Sequence, residues 1–222
     1  MTDSFQVMRL DEVEGYAEEG RPRWHMIRSV FGIESFGINA WRATEVGQQI
    51  IGEHDELGGG AGGHEELYFV LSGRATFTIA GDPVDAPAGS LVFIKDPATR
   101  RSAVADEAAT EILVIGGRAG AAFSVSGWER SAEALRYWTT QDWDGAIQFL
   151  DGQLAADSDN GNILYNLACA ESRGGRNEAA IEHLTRAVEL VPRFAELAQT
   201  DSDLHAIRGD DRFPSAPSGG SP

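Results

Sequence analysis

The hydrophobic period changes once along this chain, and the change falls near Trp128. Upstream, apolar residues recur at every second position in short runs. The segment Ala75-Thr-Phe-Thr-Ile79 alternates strictly, as a strand with one buried face should. Downstream, the spacing is helical: Ala180, Ile181, Leu184, Ala187 and Val188 share one face of a helix that Pro192 ends. Period 2 followed by period 3.6 predicts a β part and then a separate α part.

The β part has turn residues at regular intervals. Gly73, Gly81-Asp-Pro83, Pro87-Ala-Gly89 and Gly116-Gly117 separate candidate strands at 24–30, 37–44, 48–51, 66–71, 74–79, 90–94, 102–105, 110–115 and 122–125. Short strands with Gly/Pro punctuation predict a sandwich or barrel rather than a parallel sheet. The expected order is a polar lead-in over 1–22 with a short helix near 10–19, and a β-barrel domain over 23–126. A helical domain over 131–208 and a disordered tail over 209–222 follow.

Charge and cysteine usage narrow the function classes. A formal net charge of −17 repels nucleic acid and anionic membranes. No apolar run approaches the roughly 18 residues that span a bilayer. The start, Met1 to Gly15, lacks the basic-then-apolar pattern of a signal peptide. The single cysteine, Cys169, has no intramolecular partner and lies in an apolar helical stretch, which fits a buried thiol and a cytoplasmic protein.

Ala146 and Ala180 lie 34 residues apart at equivalent places in two helical stripes. Asn166, Leu167 and Ala168, with Gly175 at a turn, Ala180 and Ala187 in the next helix and Pro192 at its end, resemble a tetratricopeptide repeat. Ala134, Ala146 and Leu150 fit a weaker first copy, in which Ser158 replaces the proline and Trp138 and Trp143 are irregular. The resemblance implies antiparallel helical hairpins and protein interaction through a concave groove. About three repeats normally bury a continuous core, so two must rest on the barrel, on a second copy or on a partner. A homodimer and a partner-binding groove both stand open.

The stretch His64-Glu-Glu-Leu-Tyr-Phe-Val-Leu-Ser-Gly73 resembles the first motif of the cupin family, with Glu66 seven residues before Gly73. The run from Gly89 to Arg100 resembles the second motif in part, with Lys95 and Pro97 where the family has proline and glycine. The resemblance implies a double-stranded β-helix, or cupin jelly roll, with an internal pocket. In metal-binding members two histidines, the motif glutamate and a second-motif histidine hold a divalent cation. Here the paired-histidine places fall on Gly60 and Gly62, the second-motif histidine on Arg100, and Glu66 alone remains.

Two readings of that site follow. His64 lies two residues before Glu66 and on a strand would share its face. With His54 folded back across the glycine-rich segment 57–63, His54, His64 and Glu66 would form a metal set. Alternatively Arg100 faces Glu66 and pairs with it, replacing a divalent metal. In that case no cofactor is preferred, and Glu66, Arg100, His64 and Tyr68 would contact a small polar or anionic ligand. The segment 57–63 lacks the Gly-Lys-Ser/Thr ending of a phosphate loop. The preferred function is a non-catalytic small-molecule sensor or adaptor. The alternative is a metal-dependent oxygenase or isomerase of the cupin kind, so enzyme status stays open. A structural dimer without a ligand is the third reading.

Overall fold

A computed structural model describes residues 5–17, 20–57 and 61–215. The chain divides into two compact units, Met1–Val125 and Ser126–Pro222. The first contains β1 (Gly15–Tyr16), β2 (Arg23–His25), α1 (Ile27–Phe31), β3 (Gly37–Arg42), β4 (Gln49–His54), β5 (Glu65–Ser72), β6 (Arg74–Ile79), β7 (Asp82–Pro87), β8 (Leu91–Ile94), β9 (Arg101–Ala105) and β10 (Glu111–Gly117). The second contains α2 (Gly127–Ala132), α3 (Arg136–Thr140), α4 (Trp143–Ala156), α5 (Gly161–Arg173), α6 (Asn177–Leu190) and α7 (Phe194–Thr200).

Two antiparallel sheets build the β unit, in the orders β1-β2-β3-β10-β5-β8 and β4-β9-β6-β7. Across β3 to β10, the first strand pairs with the last, the second with the seventh, the third with the sixth and the fourth with the fifth. A hairpin wrapped in this way is a jelly roll. Residues alternate between its inner and outer faces. Tyr68 and Val70 of β5, Ile112 of β10, Ala75 and Phe77 of β6 and Ala103 and Ala105 of β9 all point into one shared core. Phe77 meets Tyr68 edge-on, with ring centroids 5.4 Å apart.

The period-2 segments became strands, with local differences. The expected strand over 24–30 stops at His25, and the chain turns into α1, which ends at Gly32 with φ +64°. Residues 122–125 form no strand. The strand β7 was hidden by its turn residues. Pro83 and Pro87 sit at its ends, and β7 lies at a sheet edge, where a missing N–H leaves no ladder bond unmade. The helix expected over 10–19 is a single 3-10 turn, Leu10–Glu12, followed by β1; residues 18 and 19 lie outside the described residues.

The helical unit starts at the cap of α2, where the Ser126 side chain accepts from the Glu129 N–H. Asp142 and Asn160 cap α4 and α5 in the same way. Ala146 and Ala180 are both fully buried, and α4, α5 and α6 pack in succession. Cys169 is buried in α5, and burial pushes its thiol well above the usual range. The tail expected to be disordered is ordered as far as Pro214. Arg212 pairs with Glu178 and Asp210, Phe213 packs on the helical core, and Gln199 donates to Pro214 O at 2.8 Å. These contacts lie far apart in sequence, so composition could not reveal them. Residues 216–222 of the expected tail lie outside the described residues. Among the described residues, no helix is long and apolar enough to cross a membrane.

Gly73 links β5 to β6 at φ +71°, and a Cβ there would lie 2.4 Å from Thr110 Oγ1 and 2.8 Å from Thr110 Cα. Both the backbone and the space require glycine. Gly73→Ala should lower stability by more than about 1 kcal/mol, read as a shift in the urea midpoint without a change in slope. An unchanged midpoint would refute this account of the turn.

Candidate functional site

The strand register carries the apolar interior to one polar layer. On β9 the inward positions are Ala105, Ala103 and then Arg101. On β5 they are Val70, Tyr68 and then Glu66. His54 pairs with Arg101 across the β4–β9 ladder. Arg101 is fully buried, and the Glu66 side chain is only 12% exposed.

One carboxylate oxygen organises this layer. Glu66 Oε2 accepts from Arg101 Nη2 at 2.5 Å, Arg101 Nε at 3.1 Å and Tyr68 Oη at 2.5 Å. The other guanidinium nitrogen, Nη1, donates to Thr99 O at 3.0 Å and Pro97 O at 3.4 Å. Every nitrogen of Arg101 is therefore engaged with protein. Burial alone would raise the Glu66 carboxyl, but His54, Arg101 and Tyr68 outweigh it and hold Glu66 at about 2. Burial, with the adjacent Glu66 charge, pushes the Tyr68 hydroxyl well above its usual range.

This layer corrects the sequence reading by one residue. Arg100, expected to face Glu66, points outward and pairs with Glu53 at 3.0 Å, with both side chains about 60% exposed. Arg101 makes the expected pair. Adjacent strand residues face opposite ways, so a slip of one exchanges surface for core. The signal was present: Ala103 and Ala105 are small, apolar and alternate with Arg101.

The histidines also separate. His54 Nε2 lies 3.7 Å from Glu66 Oε2 and 4.0 Å from Glu56 Oε1. Burial would lower His54, but Glu66 and the Gly52 carbonyl raise it on balance. His64 does not join His54 and Glu66. Its ring lies 5.6 Å from the Phe123 ring, and its Nδ1 is 3.8 Å from Glu56 Oε2. Glu56, absent from the site read in the sequence, takes the third place. It stands two residues after His54, at the start of the glycine-rich segment. Its Oε2 also accepts from the Gly62 N–H at 3.0 Å and the His64 N–H at 3.4 Å. At Gly62, which the resemblance sets at a histidine place, a Cβ would lie 2.1 Å from His64 Nε2, so a side chain there would require the His64 ring to move. The other such place, Gly60, lies outside the described residues.

Among the described residues, His54, Glu56 and Glu66 bring three candidate ligand atoms within 4.8 Å of one another. A first-row ion with ligands at about 2.1 Å holds them about 3.0–4.2 Å apart, from cis to trans, a range that spans both His54 separations, so the spacing admits the divalent cation implied by the resemblance while the local charge opposes it. The buried Arg101 guanidinium already neutralises Glu66.

No protein-family model matches the chain, and no curated protein matches it. Solved structures do. A cupin protein from Bacteroides fragilis is 20% identical over 54% of this chain and 89% of its own, with a TM-score of 0.41. An uncharacterized protein with a double-stranded β-helix domain from Klebsiella pneumoniae is 18% identical over 55% and 98%, with a TM-score of 0.41. A predicted oxalate decarboxylase from Thermotoga maritima is 17% identical over 50% and 97%, with a TM-score of 0.40.

Two measurements check this geometry. Arg101→Met should cost about 3–5 kcal/mol by stranding Glu66, whereas Arg100→Ala should fall within about 0.5 kcal/mol of the parent. Equal effects in denaturant titrations would contradict the one-residue assignment. Glu66 at about 2, rather than the usual 4.5, contributes stability that is present above pH 4.5 and lost as pH falls through 2. That contribution is about 3 kcal/mol. Glu66→Gln should therefore flatten the stability loss between pH 4.5 and 2, measured by urea unfolding at each pH.

Proposed function

We propose that the β unit is a non-catalytic small-molecule-binding module of the cupin type, in which an internal arginine replaces the metal. The observation that supports this most is Arg101. It brings a permanent positive charge to the motif glutamate, buried and with every nitrogen engaged. A divalent ion beside it would meet like charge in a setting of low dielectric. A guanidinium has five N–H donors, and the bonds to Glu66, Tyr68, Thr99 and Pro97 leave one on Nη2, 3.8 Å from Glu56, so the expected ligand is a small polar or anionic molecule.

On this reading the helical unit is tetratricopeptide-like and meets a protein partner or a second copy. The full burial of Ala146 and Ala180, 34 residues apart, supports the repeat. Self-association through the β unit has its own support. Leu91 and Phe93 are 64% and 55% exposed on the edge strand β8, and unpaired apolar edges invite pairing. The second reading is a metal-dependent oxygenase or isomerase. The cluster of His54, Glu56 and Glu66 favours it, with Glu56 in place of His64.

Metal analysis of protein purified without added metal or chelator separates the two. The binding-module reading expects substoichiometric iron, manganese, zinc, nickel and copper. A stoichiometric metal that disappears in Glu66→Ala would overturn it.

A further inference from the structure

A buried histidine with nothing to bond to marks the place where the N-terminal segment meets the sheet. His25 of β2 is 2% exposed, and neither ring nitrogen has a hydrogen-bonding partner among the described residues. Its cross-strand neighbours explain this. They are Gly15 of β1 and Ala40 of β3, and neither carries a polar side chain. A neutral imidazole buried in this way leaves one donor and one acceptor unsatisfied. Adding a proton would bury a charge as well, which costs far more.

The segment beside it is lightly held. Residues 9–16 run from Arg9 through the 3-10 turn Leu10–Glu12 to β1. That strand pairs with β2 over two residues only, Gly15 with His25 and Tyr16 with Trp24. The Met26 N–H donates to Glu14 O at 3.0 Å, and Val13 is buried. The fit is close, since a Cβ at Gly15 would lie 2.5 Å from Trp24 O. A short edge element with few bonds opens locally at low cost. Its opening brings the His25 ring to water without unmaking the rest of the sheet.

The surroundings of the docked ring weigh against a proton. Burial opposes it most, and Arg23 of β2 and Arg42 of β3 repel it. The Val13 backbone and Glu111 of β10 favour it, but Glu111 is already paired with Arg42 at 3.1 Å. The segment itself carries Asp11, Glu12 and Glu14, and α1 carries Arg28; none of these bonds the ring. Asp11 acts on Arg42 instead. On balance the docked ring titrates below its usual 6.5.

We propose that His25 makes residues 9–16 a pH-operated strap, docked along β2 at neutral pH and released in mild acid when the ring takes up a proton. The docked strap has its full stability above about pH 6.5, where a ring in water is also neutral. As pH falls below that value the released state binds the proton and gains population. One proton shifts the equilibrium by at most about tenfold per pH unit. Release makes β2 an edge strand, since β1 is the outermost member of its sheet. It thereby uncovers backbone that is open to strand pairing. The device is independent of what the pocket holds.

The test is amide hydrogen exchange of the full chain, followed by NMR at about pH 7.5 and 5.5 and expressed as protection factors, which remove the intrinsic pH dependence of exchange. The Met26 N–H reports the strap, because its acceptor is Glu14 O; the Val70 N–H, which donates to Ser90 O at 3.0 Å, reports the rest of the sheet. Met26 protection should fall between about threefold and tenfold on acidification, with Val70 unchanged. His25→Phe should abolish that fall and keep Met26 protected at both pH values. His25→Leu is the second variant, in case Phe does not fit beside Ala40. Gly15→Ala, which sets a Cβ against Trp24 O, should lower Met26 protection at both pH values alike. Constant or rising Met26 protection in acid would overturn the proposal, as would a fall that persists without the His25 ring. A parallel fall at Val70 would show opening of the whole sheet rather than of a strap and would overturn it too.

Discussion

A buried arginine is expensive, and in the β unit everything near one end of the interior answers to it. Arg101 sits between two sheets with no exposed surface. The desolvation cost is met only because a carboxylate and two backbone carbonyls take up its nitrogens. Glu66 is in turn held ionised by Arg101, and Tyr68 is fixed in direction by donating to the same oxygen. His54 and Glu56 are then left facing one another across that oxygen. A polar layer of this kind can be replaced only as a whole, because removing one partner strands the others.

The helical unit follows the same principle with smaller pieces. Tyr165 donates to Asp201 at 2.9 Å and Trp138 to Asp203 at 2.7 Å, so two aromatic side chains are tied at their polar tips to the turn after α7. Alanine at 146, 168, 180 and 187 lets neighbouring helices approach closely, and all four are fully buried. Glu171 is buried on α5 and satisfied by His183 of α6 at 2.8 Å. Long-range bonds of this type also order the stretch around Arg212 and Phe213, which by composition reads as a tail.

Much of the architecture was legible because alternation and helical spacing are local. The strands β3 to β6 and β8 to β10, and the helices α5 and α6, could be placed from their periods alone. The failures were of two kinds. The edge strand β7 and the helix α1 carry residues whose propensities point elsewhere, and tertiary pairing overrode them. The site failed by register. A motif alignment anchored on turn residues tolerates a slip of one, whereas a strand does not. Arg100 and Arg101 are chemically identical, yet one is about 60% exposed and the other fully buried.

By itself the sequence determined that a β unit precedes an α unit, because periodicity is local and needs no partner in space; the resemblance to the cupin motif added that Glu66 holds a motif position and that glycines stand at the paired-histidine places. The tertiary structure decided which arginine meets Glu66, that Glu56 rather than His64 joins His54, and that every nitrogen of Arg101 is engaged with protein. Those outcomes depend on which way a side chain points and on how many of its hydrogen bonds are already made. Both are set only when β4, β5 and β9 come together.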